Sequence, residues 1–187
     1  GGTLSNLNAL VAARKYSGLE CDQNAVFLIS EEAHSSFLKC SQIMGLSKNN
    51  LIYIKTDENG RMDMNDLIST IDRCSKEGKN IFCIVATLGT TIRGAIDPLE
   101  NISRICKERD IWLHIDGSIG GIFAITKIPI SGIGNVNCAN SITINPQKIL
   151  GITKTSSILL VSDMAVLKNT FTTGLPYVLS LIHISEP

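Results

Sequence analysis

The sequence lacks several features that would assign it to a class at once. Lys plus Arg and Asp plus Glu number 17 each, and this neutral balance gives no electrostatic reason to expect a nucleic-acid or membrane partner. No apolar run approaches the about 20 residues of a membrane-spanning helix. None of the six cysteines lies in a C-x-x-C pair. We interpret them as reduced thiols of a cytoplasmic protein rather than as disulfides or metal ligands.

Both ends of the sequence are unusual. The chain begins GGTLSN, without Met and inside a motif-like segment, so we expect a piece of a longer protein. Residues 179–187, LSLIHISEP, follow no pattern of the preceding text. We interpret them as a non-native read-through tail, with a short genuine strand as the alternative. This leaves residues 1–178 as part of one domain.

Short β-branched runs alternate with helical patterns along the chain. With 187 residues, of which 44% are hydrophobic and 18% charged, the chain is long and apolar enough to bury a core. The alternation predicts an α/β fold, a mainly parallel sheet with helices on both faces. The expected strands are 25–30, 51–55, 81–87, 111–116, 141–145 and 156–161, and the clearest helices are 35–46, 64–74 and 96–110.

Caps are expected at two helix starts. Asp63 or Asn65 suits the start of helix 64–74. For helix 96–110, Asp97 fits the N-cap, Pro98 the first helical position and Glu100 the spacing of a capping box.

Polar residues follow several of the predicted strands. His34 comes after strand 25–30, Thr91 after 81–87, Asp116 ends 111–116, and Lys148 follows 141–145. In open α/β sheets, ligands bind beyond the carboxyl ends of the strands. The sequence therefore predicts a site at that edge.

Each of these residues has a functional and a structural interpretation. Asp116, in WLHIDGSIGG, either faces a buried cation or caps a turn. Lys148, in NPQKILG, is either an amine nucleophile or a solvated loop lysine. His34 is either catalytic or structural. The opening Gly-Gly-Thr enters a helix whose free N–H groups suit a phosphate.

Taken together, these groups suit pyridoxal phosphate. The helix start would bind the phosphate, His34 would face the ring, and Lys148 would supply an amine. The cation that Asp116 requires would be the protonated pyridine nitrogen.

Five ordered motifs carry a resemblance to a known family. They are GGTLSNLNALVAAR, SEEAHSSF, VATLGTTIRGAIDPL, IWLHIDGSIGG and NSITINPQKILG. With them the chain resembles the group II pyridoxal-phosphate-dependent amino-acid decarboxylases, and within these the glutamate and cysteine-sulfinate decarboxylase branch. The likeness runs from Gly1 to about Val161. It implies an incomplete large domain of the fold type I class, a homodimer and a small-molecule substrate that is an amino acid.

The resemblance also implies roles for individual residues. Gly2 and Thr3 would hold the cofactor phosphate with help from Ser141 and Asn145, and His34 would stack on the ring. Asp116 would pair with the ring nitrogen, Ser118 would line that pocket, and Thr91 would lie near the ring hydroxyl and the substrate. Lys148 would form the Schiff base.

Two departures from the family pattern concern substrate range and efficiency. Gln147 stands where the family usually has His, and Gly117 and Ser118 stand where it usually has two alanines. A Gln amide can bind a phosphate but cannot relay protons.

The first functional hypothesis is decarboxylation of an L-amino acid through Lys148. The alternatives are another fold type I pyridoxal-phosphate enzyme, either an aldehyde lyase or an aminotransferase, and an inactive remnant. We expect the chain expressed alone to be inactive and poorly soluble, because sheet and dimer surfaces would be uncovered.

Overall fold

The computed structural model describes residues 1–124, 126, 130, 132–153 and 155–172. Within these residues, six strands form one sheet in the order β2-β1-β3-β4-β5-β6. Neighbouring strands run parallel except β5 and β6, which are antiparallel. The strands are β1 (Ala25–Ser30), β2 (Leu51–Ile54), β3 (Asn80–Thr87), β4 (Trp112–Asp116), β5 (Ser141–Ile144) and β6 (Ile158–Val161).

Helices cover both faces of the sheet, which confirms the predicted fold class. The helices are α1 (Gly2–Tyr16), α2 (Ser36–Ile43), α3 (Met64–Lys76), α4 (Leu99–Glu108), α5 (Gly121–Ala124), α6 (Pro146–Ile149) and α7 (Met164–Phe171), with 3-10 turns at Lys48–Asn50 and Val136–Cys138. Helices α1 and α2 bury Leu10 and Phe37 against one face. Helices α3 and α4 bury Leu67 and Ile102 against the other.

The buried stripes explain why these segments form helices. Leu67, Ile71 and Cys74 recur at helical spacing along α3 and join one core. Strand β3 lies between both layers, and its six residues from Phe82 to Thr87 are all buried. A strand buried on both faces has no polar alternation, which agrees with its continuous apolar sequence.

One predicted cap is confirmed and the other is wrong. The Asp63 carboxylate accepts hydrogen bonds from the backbone of Asn65 and Asp66 at the start of α3. Helix α4 instead begins at Leu99 with Pro98 as its N-cap and no capping side chain, so the Asp97–Glu100 capping box does not form. The Asp97 carboxylate turns inward and accepts from the amides of Met62 and Thr87, both at 2.7 Å.

Three other observations concern the sequence expectations. Cys40, Cys74, Cys83 and Cys106 are buried in the core. None of the helices in the described part of the chain has both the length and the hydrophobicity to cross a bilayer. The predicted boundary at residue 178 and the tail 179–187 lie outside the described residues.

Candidate active site

A cavity lies at the edge of the sheet where strands β1, β3, β4 and β5 end. Its volume is about 130 Å³. It is lined by Gly2, Thr3, Asn6, His34, Ser36, Thr87, Gly89, Thr91, Asp116, Ser118, Ile119, Asn145 and Lys148. These residues come from five separate motifs, so the fold has brought distant segments to one place.

All of the predicted site residues except Ser141 line this cavity. Ser141 is 2% exposed, and its hydroxyl lies 2.9 Å from Trp112 Nε1 and 2.8 Å from His114 Nδ1. Both contacts are on the buried face of β4, so the hydroxyl is engaged below the cavity. Ser141 is therefore not among the residues that line the cavity, and its contact with a phosphate stays a prediction.

The N-terminus of α1 forms one wall. In the described residues no side chain caps this helix, so amides of its first turn remain available to an anion. Gly2 approaches its neighbours closely, because a Cβ there would lie 2.6 Å from Asn145 Nδ2 and 3.2 Å from Ser118 Oγ. The Ser157 hydroxyl donates to Asn145 Oδ1 at 2.6 Å and thereby orients its Nδ2 amide toward α1. These donors suit a phosphate group.

Asp116 forms the floor of the cavity at the end of β4. It is 4% exposed, and it accepts from the Ser118 amide at 3.1 Å and from Asn6 Nδ2 at 3.3 Å. Thr87 and Thr143 flank it in the same row of the sheet. Within the described residues, the buried hydroxyls of these two threonines have no hydrogen-bond partner. The hydrogen bonds of the Asp116 carboxylate are long, and the neighbouring Thr87, whose hydroxyl is unpaired, also lines the cavity. These two groups suit a ring that carries a positive charge and polar substituents.

Lys148 and His34 lie at the rim. Lys148 is on the short helix α6 and is exposed. His34 Nδ1 accepts from the Ser36 amide at 3.1 Å, which fixes the orientation of the exposed ring. Gln147 accepts from the Ser156 amide through Oε1 and does not line the cavity. The departure at Gln147 therefore supports the loop that follows α6.

Gly117 is a packing requirement in this chain. A Cβ at this residue would lie 2.9 Å from Gly121 Cα and 3.0 Å from the Thr143 carbonyl oxygen. Alanine, the usual family residue, would therefore require these backbones to move.

Sequence reasoning missed Asn6 and His114. Asn6 lines the cavity and lies 3.2 Å from His114 Nε2 through its Oδ1. His114 is fully buried, and burial lowers its pKa to about 4 against the opposing effects of Asp116 and Ser141. One signal was present: in WLHID, His114 precedes Asp116 by two residues and therefore lies on the same strand face.

The described residues fit pyridoxal phosphate better than a metal ion. No group of three His, Cys, Asp or Glu side chains among them could hold a metal. The α1 amides, the Asp116 carboxylate and the Lys148 amine, by contrast, correspond to a phosphate, a ring nitrogen and an aldehyde.

The comparisons with known proteins agree with this fit. A family model described as the pyridoxal-dependent decarboxylase conserved domain matches residues 1–183. The acidic amino acid decarboxylase GADL1 of Xenopus tropicalis is 36% identical over 157 residues, which is 80% of this chain and 31% of that protein.

Two solved structures extend the comparison. The crystal structure of mouse CSAD has a TM-score of 0.85 and 32% identity, covering 91% of this chain and 37% of that one. The 4-hydroxyphenylacetaldehyde synthase of Rhodiola rosea has a TM-score of 0.81 and 26% identity, covering 90% and 38%. The chain thus spans about a third of the length of its relatives.

Proposed function

Because the chain belongs to the pyridoxal-dependent decarboxylase family, we propose that the protein containing it decarboxylates an L-amino acid with pyridoxal phosphate. One observation carries the proposal. Asp116 and Lys148 lie on different elements, β4 and α6, and both line the cavity. The N-terminus of α1 forms a wall of the same cavity. An acceptor for a ring cation, an amine for an aldehyde and donors for a phosphate therefore surround one space.

Each residue contributes a separate function to this scheme. Gly2, Thr3 and Asn145 would bind the phosphate, and Lys148 would hold the cofactor covalently through its amine. Asp116 would accept from the protonated ring nitrogen, while His34 and Thr91 would contact the ring from the rim. The bound cofactor supplies an electron sink for the bond at the substrate Cα.

The net reaction balances with no further reagent. The bond from Cα to the carboxylate breaks, CO2 leaves, and Cα takes a proton to give the amine. The acidic amino acid decarboxylase among the relatives supports an acidic substrate.

An aldehyde-forming reaction is the second candidate; besides losing CO2, the substrate would be oxidised by two electrons, with dioxygen as the oxidant, and its nitrogen would leave as ammonia. The likeness to the 4-hydroxyphenylacetaldehyde synthase supports it, because that enzyme is built on the same large domain. Product analysis of the full-length protein separates the candidates: amine and CO2 indicate decarboxylation alone, aldehyde indicates the second candidate, and keto acid indicates an aminotransferase.

We also propose that the full-length protein is a homodimer. Three exposed apolar residues, Leu4, Ile92 and Ile149, directly follow the cavity residues Thr3, Thr91 and Lys148. An apolar rim around a polar cavity suits contact with a second protein surface. Sedimentation of the full-length protein measures the state. The chain alone would leave this rim uncovered, so we expect it to be inactive.

Lys148→Ala tests the proposal. The full-length protein with the cofactor should show a visible absorption band that borohydride bleaches, and Lys148→Ala should abolish both the bleaching and the reaction. Lys168→Ala, a change on α7 away from the cavity lining, is the matched control and should leave both intact. A Lys148→Ala protein that borohydride still labels at this site would refute the assignment.

A further inference from the structure

A chain of hydrogen bonds runs beneath the cavity from Trp112 to Asp116. Trp112 Nε1 lies 2.9 Å from Ser141 Oγ, which lies 2.8 Å from His114 Nδ1. His114 Nε2 lies 3.2 Å from Asn6 Oδ1, and Asn6 Nδ2 lies 3.3 Å from Asp116 Oδ2. The chain joins two strands and a helix, because Trp112, His114 and Asp116 alternate along β4 while Ser141 is on β5 and Asn6 on α1.

The donor and acceptor in each bond of this hydrogen-bond chain can be assigned by starting from Asp116 at its end. A carboxylate oxygen only accepts, so Asn6 must present its Nδ2 amide to Asp116. The Oδ1 of Asn6 then faces His114 Nε2, and two acceptors cannot face one another, so Nε2 carries the proton. A neutral His114 leaves Nδ1 free to accept from the Ser141 hydroxyl, which in turn accepts from the indole N–H of Trp112, a group that can only donate.

The burial of the chain supports the neutral imidazole. His114 is 0% exposed and Asn6 is 2% exposed. A fully buried imidazolium would carry a large desolvation penalty, and burial accordingly lowers the pKa of His114 to about 4. The negative charge of Asp116 and the hydrogen bond with Ser141 oppose this effect of burial on the pKa of His114.

We propose that Asn6, His114 and Ser141 are positioning residues that hold Asp116 as a hydrogen-bond acceptor toward the cavity. This inference rests on the proposed function, because it assigns Asp116 to the ring nitrogen. Reversing the Asn6 amide would present its Oδ1 to the Asp116 carboxylate, where two acceptors would repel. In this arrangement Asp116 accepts from the protein, which is also the role that a protonated ring nitrogen requires of it.

Two pairs of substitutions in the full-length protein test the proposal. Asn6→Asp keeps the shape of the side chain but replaces its donor with an acceptor. Asn50→Asp is its control: Asn50 is also buried, and its Nδ2 donates to the carbonyls of Gln23 and Ala25, away from the cavity. Ser141→Ala removes a hydroxyl of the hydrogen-bond chain, whereas Thr143→Val removes a hydroxyl of the same strand that has no hydrogen-bond partner within the described residues.

The readouts are the dissociation constant of pyridoxal phosphate and the urea midpoint of the apoprotein. Asn6→Asp should weaken cofactor binding by about tenfold or more, since a hydrogen bond to a charged group is lost. Ser141→Ala should weaken it by a smaller factor, although Ser141 does not line the cavity. Asn50→Asp should lower the urea midpoint with cofactor affinity within about twofold of the wild type. Thr143→Val should leave cofactor affinity unchanged and should not lower the urea midpoint, because the hydroxyl it removes is buried and unpaired.

A neutron structure of the wild-type protein gives a second measurement that needs no variant and no cofactor. We expect a deuteron on His114 Nε2 and none on Nδ1. A deuteron on Nδ1 alone, or unchanged cofactor affinity in folded Asn6→Asp, would overturn the inference. If the wild type binds no pyridoxal phosphate, the proposed function fails, and the deuteron position still decides the direction of the chain.

Discussion

Two buried aspartates follow neighbouring strands of the sheet, and they are bound in opposite ways. Asp97 is 0% exposed, and each of its oxygens accepts from a backbone amide at 2.7 Å. Asp116 is almost as buried, but its bonds are 3.1 and 3.3 Å long, and one comes from a side chain. Only Asp116 lines the cavity.

The difference separates a structural carboxylate from a candidate functional one. Asp97 joins the segment at Met62 to the end of β3 at Thr87, so its bonding capacity is used within the fold. Asp116 has capacity left and an open side toward the cavity. Burial alone therefore does not identify a site; the length and source of the hydrogen bonds do.

The largest expected effects, on catalytic efficiency and on stability, come from two single variants of the full-length protein, Asp116→Ala and Asp97→Ala. Asp116→Ala should lower kcat/KM by about a hundredfold or more, because the cofactor ring loses its anionic partner. Its apoprotein should lose less unfolding free energy than that of Asp97→Ala, since the lost bonds are longer. Asp97→Ala should instead cost about 2–4 kcal/mol, because two buried amides lose their acceptor. Turnover assays and urea unfolding measure the two effects.

The two variants are controls for each other. Each removes a buried carboxylate near the end of β3 or β4, so a general effect of charge or cavity formation would appear in both. Two results would contradict the assignment of Asp97 as structural and Asp116 as functional. One is that Asp97→Ala loses as much activity per folded molecule as Asp116→Ala, and the other is that Asp116→Ala is the less stable protein.

Much of the fold could be predicted because its signals are local. The apolar run of β3 and the spacing of Leu67, Ile71 and Cys74 in α3 each lie within one segment. The motif residues after the strands predicted the edge at which the cavity forms, because parallel strands end at a common edge.

The differences between prediction and structure concern residues whose partners are distant in the sequence. Asp97 fitted the local pattern of an N-cap, but its carboxylate accepts a hydrogen bond from the backbone amide of Met62, which lies in another segment. Ser141 followed a family motif, but its hydroxyl is bound by Trp112 and His114. Asn6 was overlooked for the same reason, since nothing in the sequence around it shows that α1 contacts His114 and Asp116 of β4.

A smaller effect concerns the pH dependence of stability and separates Asp97 from Asp116 further. Burial raises the pKa of Asp97 to about 6 from an unfolded value of 3.8. Between these values the folded state binds more protons than the unfolded state, so this group lowers stability as pH rises. Burial lowers the pKa of His114 to about 4 from 6.5, so over most of the same range the unfolded state binds more protons and stability rises with pH. In the wild type the two slopes oppose each other.

Asp97→Asn should remove the pH dependence of stability that Asp97 causes and leave that of His114. The difference in unfolding free energy between Asp97→Asn and the wild type should then become more favourable to the variant between about pH 4 and 6, by at most about 1.4 kcal/mol per pH unit. Urea unfolding of both apoproteins across this range measures the difference, in which all other titrating groups cancel. Parallel stability curves would mean that Asp97 does not titrate there. Its two short amide bonds would then hold it charged throughout, and the contrast with Asp116 would rest on bond geometry alone.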